Sequence, residues 1–367
     1  MVVSPGPNGY ASESPEANFL KVVNTLEALQ RLAERHRDEF NIPIVGITGS
    51  NGKTMVKEWL HQLLSPSMFV TRSPRSYNSQ IGVPLSVWLL NEQTQVGVFE
   101  AGISQPGEML ALRDIIQPTI AVLTYLGAAH QENFESLEAK CREKIILFHD
   151  ADTIIYNGDD KTVSGVVNEY KDYKGEKLFW SFRDTKAPFF VKNVEKKGNL
   201  SIITYIYKGE EDSYSLPFID EASVTNSIIA AVVSRRLGLS AEELDKRMAL
   251  LEPVAMRLEV KEGQHGCTLI NDSYNSDINS LDIALDFMSR RPDHKGRRHT
   301  LILSDIFQSG ESAKDLYHEV SDLCRKRGVV KFIGIGPQLC SQSDEIQISE
   351  KFFFSNVEEF IDSEVFK

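Results

Sequence analysis

Residues Ile44–Lys57 read IVGITGSNGKTMVK, an apolar run that breaks into a glycine-rich turn and then into a helix-forming stretch. This is the pattern of a phosphate-binding loop. Gly46, Gly49 and Gly52 are expected to let the backbone turn tightly, so that successive N–H groups and the N-terminus of the next helix face an anion. Lys53 supplies a charge for β- and γ-phosphates, and Thr54 a hydroxyl for a magnesium ion. A strict Walker A motif has four residues between its first glycine and the Gly-Lys pair. Here position 47 is Ile, and the pattern is G-x-x-G-x-x-G-K-T. Gly49, Ser50, Asn51, Gly52, Lys53 and Thr54 are therefore the candidate nucleotide-binding residues. A glycine turn without an anion is the plainer reading, and the position of Gly-Lys-Thr between a strand and a helix weighs against it.

Upstream, residues 1–18 are rich in Pro, Gly, Ser and Asn and read as a disordered lead or linker. From Phe19 to Phe40, Leu20, Val23, Leu26, Leu29 and Leu32 recur at helical spacing, which predicts an amphipathic packing helix. Downstream, SYNSQIGVPLSVWLL (Ser76–Leu90) is a polar turn followed by an apolar helix. Asn78 and Ser79 are candidate substrate contacts across the cleft, with helix capping the alternative. The strand Gln95–Phe99 ends in Glu100, a carboxylate at the usual ligand edge of an α/β sheet and a candidate metal partner for Thr54. Strand Pro118–Leu126 runs to His130, which shares that edge if the sheet is parallel. Lys140 and Lys144 lie four apart on the next predicted helix, where lysines are normally solvated. Ala151–Tyr156 is a further strand. Lys177–Phe218 holds short aromatic and β-branched runs split by turns, a small antiparallel insert or sheet extension. A helix from Ser223 to Leu237 carries Asn226 near its start.

The chain is 367 residues long, which suggests two or three domains. Its 52 acidic against 40 basic residues, net charge -12, argue against nucleic acid or an anionic membrane as the main partner. The four cysteines lack C-x-x-C spacing, and no apolar run has the length of a membrane span. A reducing cytoplasm fits that cysteine usage. A second unit is expected from about Pro253. Strands Thr268–Ile270, Thr300–Ser304, Val329–Ile335 and Phe352–Phe354 alternate with helices around Leu281–Met288 and Ala313–Arg327. The fold class is thus α/β: a P-loop central domain with a mostly parallel sheet, plus a second doubly wound, Rossmann-like domain.

These segments, in this order, resemble the Mur ligase family, which joins amino acids or peptides to carboxylates at the expense of ATP. GITGSNGKT resembles its ATP loop. YNSQIGVPLS is similar to the Asn-x-x-Ile-Gly-x-Pro-Leu stretch of the branch that adds D-alanyl-D-alanine to UDP-N-acetylmuramoyl-tripeptide. FEAGISQPGEM resembles Glu-Met-Gly-x-x-x-Pro-Gly-Glu, with Ala101 in place of Met. GAAHQENFESLE resembles the segment that carries a metal-binding His, here His130.

From the resemblance alone, Lys144 matches a lysine that is carbamylated and bridges to magnesium, with Lys140 the fallback. It likewise implies that Asn226 touches adenine, although Thr225 stands where His is common. It implies that Arg257 reaches the γ-phosphate, that Asp272 contacts ribose, and that Tyr274 and Asn275 line the cleft. LILSDIFQSGESA is similar to Leu-Gly-Asp-Met-x-Glu-Leu-Gly, but Ser304 and Ile306 depart from it and leave Asp305 without a clear role. The implied cofactors are ATP and two magnesium ions, with Thr54 and Glu100 on one and His130 and Lys144 on the other. The implied partners are UDP-N-acetylmuramoyl-tripeptide and D-alanyl-D-alanine. Another Mur-type or folylpolyglutamate-type amide ligase, or a truncated nucleotide-binding fragment without activity, is the alternative. The resemblance also implies that residues 19–40 are the exit helix of a missing N-terminal UDP-binding domain. Residues 41–252 would form the ATP-binding domain and 253–367 an incomplete C-terminal domain. Some bacterial members of this branch are fused to an alanine racemase, an arrangement the resemblance leaves open.

Overall fold

The computed structural model describes residues 2–3, 20–127, 131–171, 173–254, 258–263, 266–273, 277–290, 296–307 and 312–366. Ile44–Thr48 (β1) forms the middle of a six-stranded sheet with Val70–Arg72 (β2), Val96–Glu100 (β3), Ile120–Leu123 (β4), Thr153–Ile155 (β5) and Glu176–Lys177 (β6). The order is β2-β3-β1-β4-β5-β6, and every neighbouring pair is parallel. Strand order reverses at β1, so a crevice opens at its carboxyl end between β3 and β4, where ligands of such sheets bind. β1 is buried along its whole length, because both faces of a parallel sheet are covered. Val45 and Ile47 pack into one core with Lys53–Leu64 (α2) and Glu221–Arg236 (α7), while Ile44 packs into a second core on the other face. Gly46, expected in the turn, lies inside β1; a Cβ there would stand 2.9 Å from Pro118 Cβ. Its smallness serves a close approach to Pro118.

The second face is covered by Thr25–Arg37 (α1), Gly82–Val87 (α3), Glu108–Ile116 (α4), Leu137–Ile145 (α5) and Lys161–Glu169 (α6). The first helix begins later than its apolar spacing suggested, because the Asn24 side chain accepts from the N–H groups of Leu26 and Glu27 and caps it. Leu20–Lys21 instead pairs in parallel with Val2–Val3, and the rest of the 1–18 lead lies outside the described residues. Val23 and Leu32 are exposed, whereas Ala33 and Arg37 face inward. Arg37 donates to the carbonyls of Ile116 (3.0 Å), Phe40 (2.5 Å) and Gln117 (3.0 Å), tying this helix to the C-terminal end of α4. Burial lowers the pKa of its guanidinium, while Asp38 acts in the opposite sense. Arg37→Met strips three carbonyls of their donor and is expected to lower stability by about 2–4 kcal/mol, read from urea unfolding midpoints.

The 177–218 stretch is both an insert and an extension. Phe189–Lys197 (β8), Leu200–Tyr207 (β9) and Glu210–Leu216 (β10) are antiparallel, but Trp180–Ser181 (β7) runs parallel to β8, and Glu176–Lys177 belongs to the central sheet. Helix α7 starts at Glu221, before Ser223, because Asp220 caps it through the Ser223 N–H. Ala241–Met248 (α8) follows with a capping box.

Beyond it, Thr268–Asn271 (β12) does not join a parallel sheet; it pairs antiparallel with Glu259–Glu262 (β11). His299–Ser304 (β13), Val329–Ile335 (β14) and Glu350–Phe354 (β15) form a parallel sheet in chain order. Ile278–Arg290 (α9) and Ala313–Lys326 (α10) pack with it around Leu303, Tyr317 and Phe332. No helix among the described residues is long and apolar enough to cross a membrane.

Candidate nucleotide site

The turn after β1 reaches α2 through two glycines with positive φ, Gly49 at 144° and Gly52 at 87°. A Cβ on Gly49 would meet Thr124 Oγ1 at 2.0 Å, and one on Gly52 would meet Asn226 Oδ1 at 2.4 Å, so neither position admits a side chain without movement. The loop is fastened to the segment after β4. Ser50 N–H donates to the Tyr125 carbonyl (2.6 Å), the Thr124 hydroxyl to the Asn51 carbonyl (2.6 Å), and Gly127 N–H to Ser50 Oγ (3.0 Å). Gly52 ends the turn as the cap of α2, with no side-chain acceptor on the first helical N–H groups. Those groups, with the positive end of the helix dipole, offer donors of the kind that suit an anion.

Three lysines gather here. Lys53 Nζ donates to the carbonyls of Gly49 (2.7 Å) and Ser50 (3.1 Å). Lys140 Nζ donates to the Gly127 carbonyl (2.5 Å), and Lys144 Nζ lies 3.4 Å from the Gly49 carbonyl. Lys140 and Lys144 are 1% and 2% exposed, contrary to the solvated helix face that their spacing suggests. Burial, then the charge of Lys53, pulls the Lys140 amine down to about 8; the same causes, with Lys140 added, hold Lys144 well below the ordinary lysine range.

On the other side of the loop, Thr54 Oγ1 donates to Glu100 Oε2 (3.1 Å) and shares a hydrogen bond with Ser76 Oγ (2.9 Å). Glu100 is fully buried, not a solvated strand end. Its other oxygen lies 3.0 Å from Lys57 Nζ. Lys57 and Ser76 are the residues that sequence reasoning missed. Lys57 stands one helical turn beyond Lys53, a spacing that puts both on one side of α2; Ser76 carried no signal beyond its polar turn.

A cleft of about 470 Å³ runs over this loop, lined by Gly49–Met55, Asn78–Ile81, Gly102–Ser104, Lys144, Asn226, Leu258 and Asp272, among others. It falls within the ordinary range of small-molecule sites. Ser79 Oγ accepts the Gly82 N–H (3.1 Å), the capping role weighed against it, while the Asn78 side chain sits against Gly102. Asn226 rests on Gly52 and donates to Met55 Sδ (3.2 Å). Asp272 accepts the Leu258 N–H (3.2 Å). His130, Arg257, Tyr274 and Asn275 lie outside the described residues. Asp305 is a helix cap: its carboxylate accepts the N–H groups of Gln338 (3.0 Å) and Leu339 (2.9 Å) at the start of Pro337–Ser341.

Residues 47–234 match the model of the Mur ligase middle domain, just over half of the chain. The chain belongs to the Mur ligase family. The UDP-N-acetylmuramoyl-tripeptide--D-alanyl-D-alanine ligase of Bacillus subtilis is 28% identical over 311 residues, 83% of this chain and 65% of that protein. The chain thus spans just under two thirds of that relative's length. Among solved structures, MurF ligase from Thermotoga maritima in complex with ADP superposes with a TM-score of 0.78 at 22% identity, covering 93% of this chain and 77% of that one. Folylpolyglutamate synthase from Mycobacterium tuberculosis, complexed with ADP and AMPPCP, gives 0.72 at 14% identity, over 92% and 86%. The Mur ligase fold is therefore shared with both, and in this member the glycine turn is braced by residues 124–127 and by Asn226.

Proposed function

We propose that this chain is an ATP-dependent, ADP-forming amide ligase that adds D-alanyl-D-alanine to UDP-N-acetylmuramoyl-tripeptide in cytoplasmic peptidoglycan precursor synthesis. The observation that carries the reading is the convergence of Lys53 and Lys144 on the glycine turn, with Lys140 on the adjacent Gly127 carbonyl, opposite the Thr54–Glu100 contact. The Asn-x-x-Ile-Gly-x-Pro-Leu match at Asn78–Leu85, together with the Bacillus subtilis relative, supports the D-alanyl-D-alanine branch over folylpolyglutamate synthesis.

A carboxylate is a poor acylating agent. The γ-phosphoryl group of ATP passes to the terminal carboxylate of the tripeptide, giving an acyl phosphate and ADP. The amine of D-alanyl-D-alanine then attacks the acyl carbon, phosphate departs with the bonding electrons, and the amine loses a proton. Positioning and charge neutralisation make up most of the protein's work in such a transfer. The N–H groups at the start of α2 and the Lys53 ammonium would hold the phosphates, Asn226 and Asp272 the nucleoside, and Asn78 and Ser79 the acceptor; by the family pattern Asn275 is assigned to the nucleoside, Arg257 to the γ-phosphate and Tyr274 to the acceptor.

Oxygen donors suit magnesium, and the buried Glu100 carboxylate beside two hydroxyls is such a set. Thr54, Ser76 and Glu100 would hold one ion, and His130 with carbamylated Lys144 a second. Bound magnesium supplies neutralisation of phosphate charge. The test is ADP release and peptide-bond formation from ATP, magnesium, UDP-muramoyl-tripeptide and D-alanyl-D-alanine. Turnover is expected only when both substrates are present; turnover with a folate and glutamate instead, or ATP hydrolysis without an acceptor, overturns the assignment.

A further inference from the structure

Lys57 is fully buried in α2 and touches three groups that are far apart in sequence. Its ammonium lies 3.0 Å from Glu100 Oε1 and 3.0 Å from Glu58 Oε1, and it donates to the carbonyl of Arg75. Glu58 in turn pairs with Arg72 at 2.9 Å. The four side chains form an alternating, neutral set, Arg72, Glu58, Lys57 and Glu100, that leads from solvent to the edge of the nucleotide cleft. The contact with Glu100 is an ion pair, whose attraction does not depend on alignment. It divides the carboxylate: Oε1 faces Lys57, and Oε2 faces the Thr54 hydroxyl at 3.1 Å. The Glu100 N–H, which donates to Ser73 Oγ at 3.2 Å, fixes the backbone beneath it.

We propose that Lys57 is a positioning residue that makes Glu100 a one-oxygen ligand and thereby sets the choice of cation at the nucleotide site. A cation gripped by both carboxylate oxygens would have to approach the Lys57 ammonium, and like charges at that distance repel. Oε2 alone, beside Thr54 and Ser76, suits the small octahedral shell of Mg2+, whereas Ca2+ takes more ligands at longer distances and often grips carboxylates through both oxygens. The same ammonium holds the Arg75 carbonyl, where the backbone takes a left-handed φ of 47°, so the turn that leads to Asn78 is fastened to the metal-facing carboxylate. This inference rests on the nucleotide reading above.

The experiment is calorimetric titration of the full chain with ADP in EDTA, in Mg2+ and in Ca2+, for the unmodified protein and Lys57→Met. In the unmodified protein Mg2+ is expected to strengthen ADP binding about tenfold more than Ca2+ does. In Lys57→Met that preference should shrink to about twofold or less, while affinity in EDTA stays within about threefold because the loop and Lys53 are unchanged. An undiminished Mg2+ preference in Lys57→Met overturns the proposal, since a merely structural lysine would leave selectivity alone. The unmodified chain decides independently of whether the variant folds: equal strengthening by Ca2+ and Mg2+ there overturns the role of Lys57 alone. No ADP binding under any condition overturns the nucleotide reading, and this inference with it.

Discussion

Lys53→Ala is expected to abolish nucleotide-dependent ligation while leaving a folded protein. In the structure the Lys53 ammonium makes hydrogen bonds to two carbonyls of its own turn, Gly49 and Ser50, and lines the cleft. Its removal costs stability at a partly exposed position, about 1–3 kcal/mol at most, because the turn keeps its other ties to Thr124, Tyr125 and Gly127. The loss in rate is larger. A preorganised donor aimed at developing charge in a water-poor site is worth about a hundredfold to a thousandfold in rate when a single one is deleted. Lys53 adds a full charge that also lowers the amine pKa of Lys140 and Lys144, so its effect reaches beyond one contact. Product formation and ADP release, with thermal melting on the same sample, make the check. Unchanged product formation would remove the loop from the mechanism.

Lys144→Ala should be the other variant with a large effect, with a feature that truncation alone does not explain: partial recovery of ligation by short-chain carboxylic acids. Carbamylation is the addition of CO2 to a neutral amine, and burial, with the charges of Lys53 and Lys140, pulls the Lys144 amine toward the neutral form. Lys140 is also shifted, to about 8, but its Nζ is committed to the Gly127 carbonyl at 2.5 Å, inside the bracing of the loop. The proposed modification converts a cation into an oxygen donor, as a hard metal requires. Formate or acetate entering the space left in Lys144→Ala restores a carboxylate there. We expect activity at least about a hundredfold below the unmodified protein without added acid. With acid it should rise as a saturable function of acid concentration. Absence of rescue, with rescue of Lys140→Ala instead, would move the assignment to Lys140.

Lys53 follows a glycine turn directly and Lys144 lies on a later helix, and their meeting at the Gly49 carbonyl depends on distances that no spacing supplies. The loop, the strand before it and the helix after it are local: Gly49 and Gly52 take the positive φ that a residue without Cβ adopts freely, and the mainly apolar run Ile44–Thr48 marks a strand covered on both faces. Alternating strands and helices likewise carry the parallel sheet, since parallel neighbours require crossovers. Local signals also misled. The apolar spacing of residues 20–32 predicted an earlier helix, but a single Asn24 cap set its start, and Val23 remained exposed. Ser79 carried two readings; its hydroxyl accepts the Gly82 N–H at the helix start and the residue also lines the cleft.

The glycine turn with its lysine and threonine, the parallel α/β class and the position of Glu100 at a strand's ligand end were legible in residue order, because each depends on residues near one another in the chain or on a period that one element imposes. Packing alone brings Lys57 to Glu100 across 43 positions, joins Ser76 to Thr54, buries Lys140 and Lys144 at the loop, and pairs Thr268–Asn271 with Glu259–Glu262 outside the parallel sheet. The reason is physical. Propensity and turn chemistry act within a few residues, whereas an ion pair between a helix and a strand, the burial of an amine and the choice of a strand's partner follow from register and packing, which exist only once the layers close.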